Sequence, residues 1–239
     1  MKNTNLELAF TEEQSMVMDA SKEFCRENSD IKTVRALLSS ELGFNMEIWT
    51  KMVELGWTGI TIPESFGGTD LGISALIPVV ENMGHYLLTA PLITSAIAAQ
   101  AILHCGTTEL KDIWLSRLAK GCIGTLAILE NEDIGSEVTM TAIDKGGKIE
   151  LRGRKILVSD AAAADFFLAL CKFETDLVLV LVSSDQIKSD CILERKLIDE
   201  TKRAGDINFN GVVVDANAMV KVTPRSIKDL KLIGALLHA

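Results

Sequence analysis

The spacing of apolar residues changes near residue 122. Through residues 10–120 they recur every three or four positions, which is the helical period. After Cys122 they alternate or form short continuous runs separated by glycines, which is typical of β-strands. The sequence therefore predicts an α+β protein, with an all-helical domain over residues 1–122 and a small barrel- or sandwich-like β domain over residues 123–225. Residues 226–239 are predicted to begin a further helical part.

Several helix boundaries can be read directly. Thr11 and Gln14 stand three apart in a capping-box pattern, which predicts the start of the first helix. A second apolar stripe ends at Gly56, and a third runs from Ile73 to Leu87 with Pro78 expected in about its first turn. Two more helices are predicted over residues 95–105 and 108–119.

Two patterns in the second half carry further predictions. Gly146 and Gly147 can adopt the positive φ angles of a two-residue turn, so they predict a β-hairpin. Near the end, an apolar stripe predicts one more helix, which is expected to need cover from another part of the molecule, another subunit or a segment outside this sequence. The stripe consists of Ile227, Leu230, Ile233 and Leu237.

Composition excludes several classes of function. A net charge of −9 without a basic segment argues against nucleic acid as a partner. Apolar runs such as Leu177 to Val182 are far shorter than the ~20 residues that a membrane span requires. The amino terminus has neither secretory nor transit character, so a cytoplasmic protein is expected. The five cysteines and three histidines lack disulfide or metal-ligand spacing, so neither feature is predicted.

Five segments, taken in order, resemble the acyl-CoA dehydrogenase family of flavoproteins. Residues 49–72 resemble its helix-to-connector segment, and residues 79–91 resemble the helix that follows. The stretch LAILENEDIGSE, residues 126–137, stands where the family has a Thr-Glu-Pro loop followed by Gly-Ser-Asp. Residues 151–171 resemble its G-x-K strand, and residues 197–220 resemble its Asp-x-Thr-Arg segment with the two strands after it. The order of the five segments makes the resemblance specific.

The resemblance implies FAD as cofactor and an acyl-CoA thioester as substrate. The implied reaction is α,β-desaturation to a 2-enoyl-CoA, with electrons passed to an electron-transfer flavoprotein. In the family the carboxylate base belongs to a carboxyl-terminal helical bundle, which would lie beyond Ala239, so no catalytic residue is assigned here. A homo- or hetero-oligomer is expected, and the isolated chain is expected to be inactive.

Candidate binding residues also follow from the resemblance. Those implied at the cofactor are Leu129, Glu130, Gly135, Ser136, Leu157, Val158 and Ser159. Those implied at the acyl tail are Leu87, Leu88 and Ile97. Leu129 or Glu130 replaces the family's threonine, Leu157 replaces an aromatic residue, and Ser159 is the best remaining flavin contact. Core packing is the alternative for all the aliphatic residues, and Arg203 is expected to be structural.

The departures in the loop leave two rival functions open. The first is a non-catalytic partner subunit of a hetero-oligomeric acyl-CoA dehydrogenase, without a complete flavin site of its own. The second is a free-standing binding protein, which the apparently uncovered stripe of the last helix disfavours. The acidic side chains of the loop are expected to be solvated surface groups rather than catalytic bases. They are Glu130, Glu132, Asp133 and Glu137.

Overall fold

The computed structural model describes residues 11–133 and 136–238. Within this part of the chain six helices precede the strands and one follows them, so the predicted fold class is confirmed. No helix among the described residues has both the length and the apolar character to cross a bilayer. The helices are α1 Glu12–Asn28, α2 Ile31–Leu38, α3 Met46–Glu54, α4 Ile73–His85, α5 Leu92–Cys105, α6 Thr108–Ala119 and α7 Pro224–His238.

The predicted start of α1 and end of α3 are confirmed. Thr11 Oγ1 accepts a hydrogen bond from the Gln14 amide at 3.2 Å, and Gln14 Oε1 accepts one from the Thr11 amide at 3.1 Å. This reciprocal capping box satisfies two amides that the first turn leaves without helical partners. Gly56 follows α3 with φ 75°, a left-handed conformation that stops the helix.

Two helical features differ from the predictions. Helix α2 was not predicted, because its eight residues are too few to show a helical period; Asp30 caps it by accepting from the Lys32 and Thr33 amides. Helix α4 begins at Ile73, so the placement of Pro78 in about the first turn is wrong and the proline lies in the second turn. Proline has no amide hydrogen, so this position forfeits one helical hydrogen bond.

Among the described residues, the β part contains two sheets built from ten strands. The first has the order β10-β6-β5-β2-β3-β9, with β1 added parallel to β5, and the second has the order β4-β8-β7. The strands are β1 Gly124–Ala127, β2 Thr141–Asp144, β3 Lys148–Arg152, β4 Arg154–Ser159, β5 Phe166–Phe173, β6 Asp176–Ser183, β7 Ile192–Arg195, β8 Ala204–Asn208, β9 Val213–Asp215 and β10 Met219–Val222.

The hairpin predicted from the glycine pair joins β2 to β3. Gly146 and Gly147 have φ values of 71° and 91°, and the flanking strands pair antiparallel. Asp144 Oδ1 accepts a hydrogen bond from the Gly146 amide at 2.9 Å, and this side-chain-to-main-chain bond stabilises the turn. The prediction is therefore confirmed.

The apolar stripe of α7 is covered within the protein. Ile227, Leu230 and Leu237 are all buried, and Ile233 packs against the core. Helix α5 supplies part of the cover, since a Cβ at Gly234 would lie only 3.4 Å from Ile97 Cδ1. Of the three sources of cover that the sequence left open, another part of the molecule is therefore the one observed; the helical period could not show which part. Because the stripe is covered, it no longer argues against a free-standing binding protein.

Candidate ligand cavity and cofactor strand

A cavity of about 910 Å³ lies between the helical and β parts. Its walls come from α4, the connection to α5, the ends of β4 and α7, and the segment over residues 197–203. The helical side contributes mainly apolar side chains, such as Val80, Leu88 and Ile93, together with the polar Glu81 and His85. The end of β4, the residue after it and the 197–203 segment contribute Ser159, Asp160 and Lys202 among others. The cavity is therefore mainly apolar on its helical side and polar on its β side, as pockets for small organic ligands commonly are.

Two of the three residues implied at the acyl tail line this cavity. Leu88 is 5% exposed and forms part of its wall. Leu87 is 48% exposed at the wall and has φ 56°, an unusual conformation for a leucine. Ile97 is not among the lining residues and instead packs beside Gly234 of α7.

The loop between β1 and β2 is closed by a buried ion pair. Lys155 Nζ donates to Glu130 Oε1 at 2.8 Å, and the two side chains are 0% and 9% exposed. Lys155 also donates to the Ile128 carbonyl at 3.1 Å, while the Glu130 carboxylate accepts from Thr139 and from the Met140 amide. The expectation that Glu130 is a solvated surface group is therefore wrong, whereas Glu132 and Glu137 are exposed.

The charges of this pair are perturbed in ways that follow from burial. Desolvation lowers the pKa of Lys155, and its bonds to Glu130 oppose that shift without cancelling it. Burial by itself raises the pKa of Glu130, but hydrogen bonds from Lys155, Thr139 and Met140 outweigh it, so the pKa lies below its usual value. Glu130 is thus a charged group whose carboxylate is already engaged by protein donors.

Three residues implied at the cofactor line a second, smaller cavity. Leu129, Glu130 and Ser136 border about 180 Å³ between the loop and the first turns of α7. The hydroxyl of Ser136 donates to Asn131 Oδ1 at 2.9 Å, so it is already engaged within the loop. Gly135 lies outside the described residues.

Strand β4 presents alternate residues to opposite sides. Leu157 is 38% exposed and Ser159 is exposed, whereas Val158 is 1% exposed and points into the core. A bulge between Lys155 and Val158 gives Leu157 a φ of 52°, and its amide donates to Asp206 Oδ1 at 3.2 Å. Of these three implied contacts, only Ser159 lines the large cavity.

The loop and β4 are nevertheless neighbours. The Ile156 amide donates to the Leu129 carbonyl at 2.8 Å, and Thr125 Oγ1 donates to the Ser159 carbonyl at 2.8 Å. The residues of the β1–β2 loop and those of β4 are therefore adjacent in the structure, although they border different cavities.

Two residues in the cavity wall were not anticipated from the sequence. Thr94 of α5 donates its hydroxyl to Asp160 Oδ2, which ties the helix to the end of β4. Burial raises the pKa of Asp160, which Thr94, Lys202 and Arg203 lower in part. The sequence does show that Asp160 follows directly after an apolar strand. Acidic residues are common in the loops of this acidic protein, so that position alone did not mark Asp160 as a cavity residue.

Arg203 has the structural role expected of it. One of its guanidinium nitrogens donates to the carbonyls of Leu37, Leu38 and Ser40, each at 3.0 Å, and so satisfies the carboxyl end of α2. A Cβ at Gly43 would lie 2.8 Å from Arg203 Cγ, so this contact also requires a glycine. Arg203 thereby holds the 197–203 segment against the helical part.

The fold is that of acyl-CoA dehydrogenases. A variant of the steroid ACAD Tcur3481-Tcur3483 superposes with a TM-score of 0.82 at 23% identity, over 95% of this chain and 62% of that one. The ChsE4-ChsE5 complex from Mycobacterium tuberculosis gives a TM-score of 0.81 at 24% identity, over 94% of this chain and 61% of that one. Identities this low establish the fold alone.

Sequence comparison gives the family. Residues 11–122 match the family model of the acyl-CoA dehydrogenase N-terminal domain, so this chain belongs to the acyl-CoA dehydrogenase family, and the resemblance read from its motifs is confirmed. Acryloyl-CoA reductase (NADH) of Anaerotignum propionicum is 31% identical in an alignment over 166 residues, and the match covers 66% of this chain. The matched region is 42% of that reductase, so the chain spans less than half of this curated relative.

Proposed function

We propose that this chain forms part of an FAD-dependent acyl-CoA dehydrogenase that desaturates an acyl-CoA thioester to a 2-enoyl-CoA. The observation that carries the proposal is the 910 Å³ cavity, whose apolar helical wall faces the exposed Ser159 of β4. An acyl chain requires such an apolar wall, and the reacting carbons require a polar edge beside it. The catalytic base and the electron-transfer flavoprotein are proposed to come from outside residues 1–239.

The residues along β4 fit a flavin ring. Leu157 offers an exposed aliphatic surface and Ser159 an exposed hydroxyl on the same side of the strand, while Val158 contributes only main chain. The ion pair to Lys155 removes the negative charge of Glu130 from the surroundings of a bound dinucleotide. FAD, when bound, supplies the acceptor for the two electrons of the reaction. The chain's own residues hold the acyl group and exclude water from it.

Fluorescence quenching of FAD titrated with the purified chain tests the cofactor part of the proposal. Leu157→Asp places a charge against the ring and is expected to weaken binding at least ~10-fold, whereas Ser159→Ala, which removes one hydrogen bond, is expected to weaken it ~5-fold. Met16→Asp is the matched control, because Met16 is a 72% exposed apolar residue of α1. Equal affinities of all three variants and the wild type would place the flavin elsewhere.

The non-catalytic partner subunit is the second candidate, and one observation favours it. Leu129 offers no hydroxyl, and the carboxylate of Glu130 is occupied by Lys155, Thr139 and Met140, so neither replaces the threonine of the family motif. A solved relative is a complex of two different chains. A chain that remains colourless with excess FAD, yet forms a yellow complex with a second chain, would support this candidate. A yellow isolated chain would eliminate it.

A further inference from the structure

Asp160 is held rigidly in the wall of the large cavity. Its Oδ2 accepts from Thr94 Oγ1, and its amide donates to the Arg203 carbonyl at 3.0 Å. Its φ of 52° turns the chain sharply at the end of β4. The side chain is therefore fixed from the helical side and the main chain from the β side, as a preorganised binding group requires.

The carboxyl of Asp160 is only half satisfied by the protein. It is largely buried, and among residues 11–133 and 136–238 it forms no ion pair and its Oδ1 has no hydrogen-bond donor. Lys202 and Arg203 act on it only through space. Oδ1 is not among the fully buried side-chain atoms without a partner, so it is accessible and can accept a hydrogen bond from a bound ligand.

A structural role accounts for only part of this arrangement. The contact with Thr94 ties α5 to β4, but it uses a single oxygen, and an asparagine at position 160 could accept the same bond. An acidic residue at this position adds a second acceptor oxygen, and Asp160 is one of the residues that line the cavity. The contact with Thr94 does not explain the presence of this second oxygen.

We infer that Asp160 binds a hydroxyl group of the acyl-CoA ligand. The inference rests on the proposed function and assigns to the cavity a polar recognition point that apolar acyl chains do not use. A hydroxyl can both donate and accept, so it pairs with the carboxyl in either protonation state. The hydroxyl belongs either to the acyl group or to the pantetheine arm, and both have the same chemistry.

Calorimetric titration of the full chain with FAD present distinguishes these sources. The probes are dodecanoyl-CoA, its monohydroxylated isomers, and dodecanoyl N-acetylcysteamine thioester, which lacks the pantetheine hydroxyl. The test protein is Asp160→Leu in a Thr94→Val background, which removes both polar partners at similar volume and so leaves neither unpaired. Asp176→Leu is the matched control, since Asp176 is an exposed acidic residue that pairs with Lys221 and does not line the cavity.

The wild type and the control are expected to bind at least one hydroxylated isomer ~10-fold more tightly than dodecanoyl-CoA, and the double variant is expected to lose that preference. If the hydroxyl is that of pantetheine, the double variant instead weakens dodecanoyl-CoA and its isomers equally and leaves the N-acetylcysteamine thioester unchanged. Either pattern supports the inference.

Two results would overturn it. Unchanged affinities for every thioester in a folded double variant would make Asp160 structural, while the proposed function would stand. A wild-type chain that binds no thioester would overturn the proposed function together with this inference. Thermal unfolding of both variants shows that each is folded before it is titrated.

Discussion

Replacing Glu130 by glutamine should destabilise the protein by about 3–5 kcal/mol. The change removes one charge of a pair whose atoms lie 2.8 Å apart and whose lysine is fully buried. The Lys155 ammonium would then keep only neutral partners, such as the Ile128 carbonyl at 3.1 Å. A buried charge without its counterion accounts for most of the cost, because the shape of the side chain hardly changes.

Thermal unfolding followed by far-UV circular dichroism measures this cost. In a chain of 239 residues each kcal/mol lowers Tm by about 2–4 °C, so the variant should melt roughly 6–20 °C below the wild type. Asp176→Asn is the control, since the pair of Asp176 with Lys221 is exposed to solvent and contributes little to stability. A loss below about 1 kcal/mol for Glu130→Gln would refute the assignment of a buried charged pair.

The same pair predicts a pH dependence with a definite sign. The pKa of Glu130 is lowered on folding, so its contribution is present above the unfolded pKa and is lost as the pH falls through the folded one. The stability difference between wild type and Glu130→Gln should therefore be full above pH ~5 and shrink below pH ~4. A difference that persists undiminished in stronger acid would show that charge is not its source.

Two further substitutions test packing and capping. Gly68→Ala should lower the free energy of unfolding by about 3 kcal/mol or prevent folding, because its Cβ would lie 1.9 Å from the Ile62 carbonyl oxygen. In Gly84→Ala the new Cβ in α4 meets nothing within 4 Å, so this control should be neutral or stabilising by up to ~1 kcal/mol. Urea unfolding measures both changes. Thr107→Ala should lower the free energy of unfolding by ~1 kcal/mol in the same assay, because Thr107 Oγ1 caps α6 by accepting from the Leu110 amide at 3.3 Å. An unchanged free energy would show that this cap does not stabilise the helix.

Local patterns were sufficient where an element is determined by its own residues. The capping box of α1, the left-handed Gly56 after α3 and the Gly146 turn each depend on neighbours within four positions, so the sequence predicted them. Helix α2 escaped prediction because eight residues show barely two turns of period. The last helix was predicted, but its partner α5 lies more than a hundred positions earlier in the chain. The spacing of apolar residues shows which face of a helix is buried and does not show which element covers it.

The candidate site was less accessible to sequence reasoning for the same reason. Lys155 and Glu130 are 25 positions apart, and only the adjacency of the loop to β4 reveals that they form a buried pair. Thr94 and Asp160 are 66 positions apart and looked like a helical threonine and a loop acid. The resemblance to the family indicated that β4 lies in the cofactor region. Only the structure, with its bulge and its alternation of side chains, shows which residues of β4 are exposed.

We propose that the cavity bordered by Leu88, Thr94 and Ser159 receives the acyl thioester. Hydrogen–deuterium exchange of the chain with and without dodecanoyl-CoA, in the presence of FAD, tests it most directly. We expect slower exchange over residues 84–94 and 157–160 and no change in the hairpin at residues 144–149, which does not line the cavity. Unchanged exchange over residues 84–94, or protection confined to other segments, would show that the acyl thioester does not bind in this cavity.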